Sequence, residues 1–217
     1  MDEYLGLDRL DGIVYINLDH RSDRRERLLG EFDRLKVKQV EILRIPGVYT
    51  PLNGRIGCFL GHIHALEIAQ EKGWNKTLIL EDDAQFSTDL QSIDHYLKVF
   101  FDQFQDAWDV FLFGGKYLQI HTLSPQFFQV FESRRAHAYL LNAHYLPTLK
   151  ECYDKGYKQI EKDTFITDSV GKSVDVIWSA EQQKGRWIAP VESLAKQAEG
   201  FSDIVCDYRN YQEVNFS

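Results

Sequence analysis

The sequence has few cysteines, no long apolar run and no excess of basic residues. Its three cysteines, Cys58, Cys152 and Cys206, are far apart and odd in number, so they form neither a disulfide framework nor a zinc spacing. A reducing compartment suits such a chain. No apolar stretch approaches the length of a membrane span. The first residues also lack the basic and apolar regions of a signal peptide. We therefore expect no membrane span and a cytoplasmic location.

The charge balance argues against one class of partner. The chain has 25 basic and 33 acidic residues, a net charge of −8, whereas nucleic-acid-binding domains usually show a basic footprint. We expect no nucleic-acid partner. The 217 residues are 44% hydrophobic, an ordinary globular composition, and show no internal repeat or linker. This predicts one domain with a sizeable core, spanning residues 1–217.

The stretch at residues 77–83, TLILEDD, is an apolar run that ends in three carboxylates. Such a run between turn signals predicts a strand buried on both faces. Because burying unpaired carboxylates is costly, we expect a cation there or an open cleft. Glu81 and Asp83 would point to one side of an extended chain, with Asp82 opposite, as candidate ligands for Mg²⁺ or Mn²⁺ bridging phosphates. Alternatively, Asp82 or Asp83 merely caps a helix or begins a turn.

The chain opens as strand, turn and helix. Residues 13–18 are β-branched and aromatic and predict a strand, and residues 23–35 have the apolar period of a helix. This order is typical of α/β nucleotide-binding domains. Arg21 in the turn, with Arg24 after it, can meet a diphosphate, since guanidinium groups match phosphate oxygens. Arg25 and Arg27 are expected on the surface.

Further segments continue the α/β pattern. Strands are predicted at residues 39–45, 109–113, 127–131 and 136–141, with a last strand at 186–190. Helices are predicted at 57–72, at 92–104 with Ser92 as the cap, and at 144–155. His62 and His64 diverge on their helix and cannot share a metal from it. His62 is either a hydrogen-bonded core histidine or early enough in the helix to reach a ligand.

Several of these stretches, in this order, resemble a known glycosyltransferase family. They are YINL at 15–18 with Arg21 and Arg24, Gly57-Cys58 with His62, LILEDD at 78–83, AYLL at 138–141, Val174-Asp175, and the late Ser202-Asp203. The family includes the lipopolysaccharide-biosynthesis galactosyltransferases and the procollagen galactosyltransferases. The resemblance implies a single-domain, Rossmann-like α/β fold of the A-type glycosyltransferases with a mainly parallel central sheet.

The resemblance also implies the reaction and its residues. A galactose or glucose would pass from a UDP-sugar to a glycan or hydroxylated-peptide acceptor, with inversion and with a divalent metal, usually Mn²⁺. The metal would be held by Glu81 and Asp83, with Asp203 as a further ligand. The residues expected to bind the nucleotide sugar are Asn17, Leu18, Arg21, Arg24, His62, Asp82 and Ser202. The sequence departs from the family at Gly61, where serine is common before the histidine, and residues 157–173 match poorly.

Inverting transfer needs a general base for the acceptor hydroxyl. Asp175, a single acid within an apolar stretch where the family has an acid facing the acceptor, is the candidate. The alternative is that Asp175 is the N-cap of a helix through Trp178 and Glu181. Asp168 and Glu181 are the reserve candidates for the base.

Two other functions compete with transfer. The chain could be a nucleotide-sugar-binding or vestigial module with at most slow donor hydrolysis. It could also be a metal-dependent phosphohydrolase, but it has no obvious nucleophile or second acidic cluster for that reaction.

Overall fold

The computed structural model describes residues 6–37, 39–204 and 207–209. Strands and helices alternate through the first half of the chain. Their bounds are β1 (Gly12–Asn17), α1 (Ser22–Arg34), β2 (Glu41–Pro46), α2 (Gly54–Lys72), β3 (Lys76–Glu81), β4 (Ala84–Phe86), α3 (Leu90–Phe104) and β5 (Val110–Leu112). None of the helices in the described ranges is long and apolar enough to cross a membrane.

The second half of the chain begins with strands and ends with short elements. Their bounds are β6 (Lys116–Thr122), β7 (Phe127–Arg134), β8 (Ala138–Asn142), α4 (Leu146–Ile160), α5 (Val174–Ile177), α6 (Ser179–Gln182), β9 (Trp187–Pro190), β10 (Ala195–Gln197), β11 (Gly200–Ser202) and β12 (Asp207–Arg209). Cys206 lies outside the described residues.

The central sheet has eight strands in the order β2-β1-β3-β8-β5-β9-β7-β6. β8 lies antiparallel between β3 and β5, and β7 lies antiparallel between β9 and β6, so the other six of the eight strands share one direction. This confirms the predicted α/β fold with a mainly parallel central sheet. Two small sheets pair β10 with β4 and β11 with β12, both antiparallel.

Helices cover both faces of the sheet. Along β3, Leu78 and Leu80 pack into the cluster that contains the buried residues of α1 and α3, while Ile79 packs on the opposite side against α2 and α4. All three side chains are fully buried. Because successive side chains point to opposite sides of a strand, β3 is buried on both faces. This is the burial predicted for the apolar run at 77–80. Each such side chain contributes about 1.5–3 kcal/mol of transfer free energy.

Helix α2 packs closely against its neighbours at two of its glycines. A Cβ at Gly61 would lie 2.8 Å from Ile16 Cγ2 on β1, and a Cβ at Gly57 would lie 2.0 Å from the carbonyl oxygen of Val48. Neither distance is compatible with a larger side chain in the present packing. Gly61, where the resembling family often has serine, is therefore accounted for by the bulk of Ile16.

Several predicted boundaries are wrong. Asp89, rather than Ser92, caps α3, and its carboxylate accepts hydrogen bonds from the amides of Gln91 and Ser92. β4, at Ala84–Phe86, has no counterpart among the predicted strands. β9 is followed by three more short strands, so the strand at 186–190 is not the last. β4, β6 and β10–β12 are short or lie at edges, where the apolar period is weak.

Candidate functional site

Two adjoining clefts lie where β1 and β3 end. The first cleft is lined by the carboxylates of Glu81, Asp82, Asp83 and Asp203, by Arg24, and by residues of the loop that follows β2. The second cleft contains Asp175. The wall common to both clefts consists of Cys58, Glu81, Gln197, Ser202 and Ile204. The carboxyl ends of parallel strands therefore form this site, as expected for an α/β sheet.

The acidic triplet meets a cation, as its burial requires. β3 ends at Glu81, and the chain turns through Asp82 and Asp83. Arg24 Nη1 lies 2.8 Å from Asp82 Oδ1 and 3.5 Å from Asp83 Oδ2. The expectation that Asp82 and Asp83 point to opposite sides is wrong, because the turn brings both to one guanidinium. Arg27 is not simply a surface residue either, since its Nη2 donates to the Asp82 carbonyl over 3.4 Å.

Asn17 lies behind the first cleft and holds Asp82. Its side chain is almost fully buried, and its Nδ2 donates to Asp82 Oδ2 over 2.8 Å and to the Arg21 carbonyl over 3.0 Å. Its Oδ1 accepts from Arg44 Nε over 3.1 Å. Among the described residues that line the cleft, Leu18 is present but Asn17 is not. Asn17 therefore orients a cleft carboxylate from behind.

Asp83 has an incompletely satisfied carboxylate. Its Oδ2 accepts from Gln197 Nε2 over 3.2 Å, while its buried Oδ1 has no hydrogen-bond partner. Burial, together with the negative charges of Glu81 and Asp82, raises the pKa of Asp83 to about 7 although Arg24 opposes the shift. A cation placed at Oδ1 would relieve both the repulsion and the missing contact.

Glu81 is bound to helix α2 through His62. The fully buried His62 places Nε2 3.1 Å from Glu81 Oε1 and Nδ1 3.0 Å from the Tyr139 hydroxyl. Burial acts to raise the pKa of Glu81, but the hydrogen bond and charge of His62 leave that pKa below its ordinary value. His62 is thus both a hydrogen-bonded core histidine and a residue of the first cleft.

A thiol completes a candidate metal-binding group. Cys58 Sγ lies 3.8 Å from Glu81 Oε1, and one ligand atom each from Cys58, His62 and Glu81 lie within 4.8 Å of one another. Over the described ranges this is the set of three that comes so close, and the predicted set of Glu81, Asp83 and Asp203 does not. Burial and the nearby acids raise the pKa of the Cys58 thiol well above its ordinary value.

The late segment around β11 is tied to the start of α1. Arg21 Nη1 donates to Asp203 Oδ2 over 2.5 Å, and Arg24 Nη2 donates to the Phe201 carbonyl over 2.6 Å. Arg21 also pairs with Asp23, and Asp203 Oδ1 lies 3.4 Å from His20 Nε2. Arg21 is absent from the described lining of the first cleft, whereas Asp203 belongs to it. The two arginines thus hold in place the segment that supplies Ser202 and Asp203.

Asp175 belongs to the second cleft and is held by two donors. Its Oδ2 accepts from the Arg135 amide over 2.7 Å and its Oδ1 from the Ser173 hydroxyl over 2.5 Å. The N-cap of α5 is Ser173, so the alternative of Asp175 as an N-cap is wrong. Of the reserve acids, Asp168 bonds the Phe165 amide and Glu181 pairs with Lys184. In the described lining of the two clefts, neither reserve acid occurs.

Sequence reasoning missed several residues of the two clefts. Tyr49 is 57% exposed, lines the first cleft and lies edge-on to His20, with ring centroids 4.8 Å apart. The sequence feature that could have identified Tyr49 is an aromatic residue in the loop that follows a parallel strand. Cys58 was also missed as a site residue, although it lies four residues before the predicted His62 on the same helix, the spacing at which two side chains share a face. Other members of the missed set are Gln197, Arg55 and Arg135.

The fold and the site together define a class. An α/β sheet with an acidic cleft at its strand ends is the architecture of A-type glycosyltransferases and related nucleotidyltransferases. A solved UDP-glucose pyrophosphorylase in complex with UDP-glucose superposes with a TM-score of 0.50, covering 86% of this chain and 74% of that one. At 9% identity this likeness concerns the fold alone.

The chain belongs to glycosyltransferase family 25 (LPS biosynthesis protein), whose family model matches residues 41–169. Human procollagen galactosyltransferase 2 is 31% identical over 134 residues, which cover 51% of this chain and 21% of that protein. The human inactive glycosyltransferase 25 family member 3 is 25% identical over 130 residues, covering 49% and 22%. The matched part is thus about a fifth of these relatives' length. The family match includes His62 and the acidic triplet but ends before Asp175 and Asp203.

Proposed function

We propose that the chain is a metal-dependent inverting glycosyltransferase that moves galactose or glucose from a UDP-sugar to an acceptor hydroxyl. The observation that carries this proposal is the pair of clefts with a common wall, one acidic and one containing Asp175. Membership of the family and the galactosyltransferase name of a human relative support it. A donor in one cleft and an acceptor in the other would meet at that wall, where Glu81 lies.

The first cleft is suited to the donor only if a cation is bound with it. Four carboxylates and one guanidinium line the cleft, and a diphosphate would be repelled by that balance. Glu81 and Asp83 would hold Mn²⁺ or Mg²⁺, because both are carboxylates and Asp83 Oδ1 lacks another partner. A bound ion would neutralise charge that develops on the leaving diphosphate. Asp203 lines the same cleft as a further oxygen donor.

The chain's own residues position the nucleotide sugar. Arg24 and Asn17 fix Asp82 so that it can accept hydrogen bonds from sugar or ribose hydroxyls. The exposed ring of Tyr49 offers a flat surface on which a uracil base could pack. Leu18 and Ser202 contribute an apolar and a hydroxyl contact at the edges of the cleft.

Asp175 would serve as the general base. Each carboxylate oxygen that accepts one hydrogen bond keeps a lone pair for another, so Asp175 can still accept the proton of an acceptor hydroxyl. The Arg135 amide and the Ser173 hydroxyl restrict its rotation and so orient that lone pair. In an inverting transfer the base acts on the side opposite the leaving group, and Asp175 lies in the cleft that does not contain Asp82 or Asp83.

The second candidate function is a vestigial module that binds a nucleotide sugar and at most hydrolyses it slowly. The human family member named inactive, at 25% identity, favours keeping this candidate. A single assay separates the two functions, because only the enzyme delivers labelled hexose to a glycan or hydroxylated-peptide acceptor. Release of free hexose without transfer would support the vestigial module.

Calorimetric titration with UDP tests the donor site. We expect binding in Mn²⁺, loss of binding in EDTA, and loss of binding in Asp83→Asn. Asp102→Asn, which removes an exposed carboxylate of α3 that pairs with Arg9, is the matched control and should bind like the wild type. Binding that survives EDTA would contradict the metal requirement. Absence of UDP binding under every condition would contradict the proposed function itself.

A further inference from the structure

The second cleft has a charge opposite to that of the whole chain. Its lining includes three arginines, Arg55, Arg135 and Arg209, against two carboxylates, Asp175 and Glu81, although the chain has a net charge of −8. Arg209 also pairs with Asp207 over 3.7 Å. We propose that this cleft selects acceptors that carry an anionic group, a carboxylate or a phosphate, close to the hydroxyl that receives the sugar. The inference rests on the proposed function, because it assigns the chemistry of that reaction's acceptor.

Arg55 provides the most constrained of these charges. It lies in the first turn of α2. That turn contains no acidic residue, and the side chain of Asn53 at the N-cap makes no capping hydrogen bond. The helix end therefore adds positive potential to that of the guanidinium. Nη1 of Arg55 donates to the Ile166 carbonyl over 2.6 Å, which fixes the side chain.

The counter-charges around Arg55 do not fully compensate its burial. Burial lowers the pKa of Arg55, and the opposing effects of Asp175 and Cys58 leave it below its ordinary value. Glu81, the other carboxylate of the cleft, is hydrogen-bonded to His62. An anionic ligand would supply the missing negative charge, and guanidinium groups bind carboxylates and phosphates through paired hydrogen bonds.

Arg135 couples this charge to the reacting position. It lies between β7 and β8 with φ of 78°, and its amide is the group that holds Asp175 Oδ2. A substrate hydroxyl placed on Asp175 therefore lies near Arg135, which lines the same cleft. The anionic group is thus expected on the same sugar unit as the hydroxyl, or on the adjacent one.

This placement has a consequence for acceptor class. A hydroxylated side chain that also carries an ammonium group would be repelled by the three guanidinium groups, whereas an acidic or phosphorylated sugar would be attracted. An anionic glycan is therefore the acceptor that the second cleft favours over a cationic peptide.

The test uses matched pairs of probes on the full chain loaded with UDP and Mn²⁺. One pair is 4-nitrophenyl β-glucuronide and 4-nitrophenyl β-glucoside, which differ by a carboxylate. The other is glucose 6-phosphate and glucose, which differ by a phosphate. We expect the charged member of at least one pair to bind about tenfold more tightly, as one charge-assisted hydrogen bond allows. The pair that shows the preference identifies the anion.

Variants assign the preference to the cleft. Arg55→Gln and Arg135→Gln should each abolish most of it, and Arg55→Lys, which keeps the charge, should retain part of it. Arg186→Gln is the matched control, because it removes an exposed arginine that precedes β9, at the opposite end of the sheet from the clefts.

The outcomes separate the inference from the proposed function. Charged and neutral probes that bind equally, or not at all, while UDP and Mn²⁺ are bound would overturn the inference and leave the proposed function standing. A preference that persists in both glutamine variants would also overturn it. Loss of UDP binding in the wild type would overturn the proposed function and the inference with it.

Discussion

The two clefts have a common wall but opposite electrostatic character. The first has four carboxylates and the guanidinium of Arg24, while the second has three arginines with Asp175 and the shared Glu81. Under the proposed function, a diphosphate would need a cation to enter the first cleft, whereas an anion could enter the second directly. The contrast in charge arises because Glu81 lies at the boundary and each cleft adds its own charged residues.

The largest expected effect is a loss of catalysis in the second cleft, with UDP binding in the first cleft unchanged. Asp175→Asn should lower the turnover of hexose transfer by about 10²–10⁴, the usual contribution of a general base, with UDP affinity unchanged. Transfer of labelled hexose and UDP calorimetry on the same preparation measure both quantities. Asp168→Asn is the control, since Asp168 bonds the Phe165 amide away from both clefts. An Asp175→Asn variant with most of its turnover would exclude Asp175 as the base.

The next effect concerns pH and the first cleft. The pKa of Asp83 is about 7 in the folded protein without metal, so a proton competes with Mn²⁺ for this carboxylate below that pH. We expect Mn²⁺-dependent UDP affinity to fall by up to about tenfold for each pH unit below about 7. Titrations from pH 5 to 8 measure this, and Asp83→Asn, which cannot ionise, should lack Mn²⁺-dependent UDP binding at every pH of the series. A flat profile in the wild type would contradict the assignment.

The same shift has a consequence for stability with a definite sign. Asp83 binds its proton more tightly in the folded chain than in the unfolded chain, because burial raises its pKa above the ordinary value of 3.8 to about 7. Its contribution to the free energy of unfolding of the metal-free protein is therefore largest below pH 4 and is lost as the pH rises to about 7. Urea unfolding of the wild type and of Asp83→Asn across this range isolates that contribution.

A smaller effect concerns the common wall. Zn²⁺ favours thiol and imidazole ligands, so it should bind at Cys58, His62 and Glu81 and compete with Mn²⁺ for Glu81. We expect Zn²⁺ to inhibit UDP binding in Mn²⁺, increasingly at high pH, because the pKa of the Cys58 thiol is raised. Cys58→Ser should require about tenfold more Zn²⁺ for the same inhibition, and Cys152→Ser, which alters a buried thiol of α4, should not. Equal inhibition of both variants would exclude the trio.

The smallest effect concerns α2, the helix that supplies Cys58 to the common wall. Gly61→Ala should lower the free energy of unfolding by about 1 kcal/mol, because the new Cβ meets Ile16 and the gain in helix propensity offsets only part of the overpacking. Gly30→Ala on α1 is the matched control, since a Cβ there meets nothing within 4 Å, and it should stabilise by about 0.5–1 kcal/mol. Urea unfolding measures both. Equal shifts would contradict the close packing of α2 on β1.

Local patterns predicted the parts of the fold that depend on short stretches of chain. The apolar run before Glu81 and the strand–turn–helix opening follow from periodicity within one element, and both are present. The insertion of β8 between β3 and β5 depends on where a distant segment returns, and no periodicity encodes that. The short β10 and β11, which bring Gln197 and Ser202 to the site, were not predicted for the same reason.

The candidate site was predictable in its carboxylates and less so in its partners. An acidic triplet after an apolar strand stands out because burial of charge is costly, so Glu81, Asp82 and Asp83 were found directly. Arg135 lines the second cleft with a positive φ, a backbone conformation that arginine rarely adopts. The residues around it in the sequence do not predict that conformation. The pairing of Arg21 with Asp203 joins residues 182 positions apart, and only the folded chain reveals it.

The contact of Gly61 with Ile16 has an evolutionary consequence. A relative with serine at the position of Gly61 needs room for its side chain, because a Cβ at that position would lie 2.8 Å from Cγ2 of Ile16. Such relatives should therefore carry a smaller residue at the position of Ile16, so the two sites should vary together through descent. Replacing Gly61 with serine and Ile16 with a smaller residue together should then destabilise this chain less than the serine substitution alone.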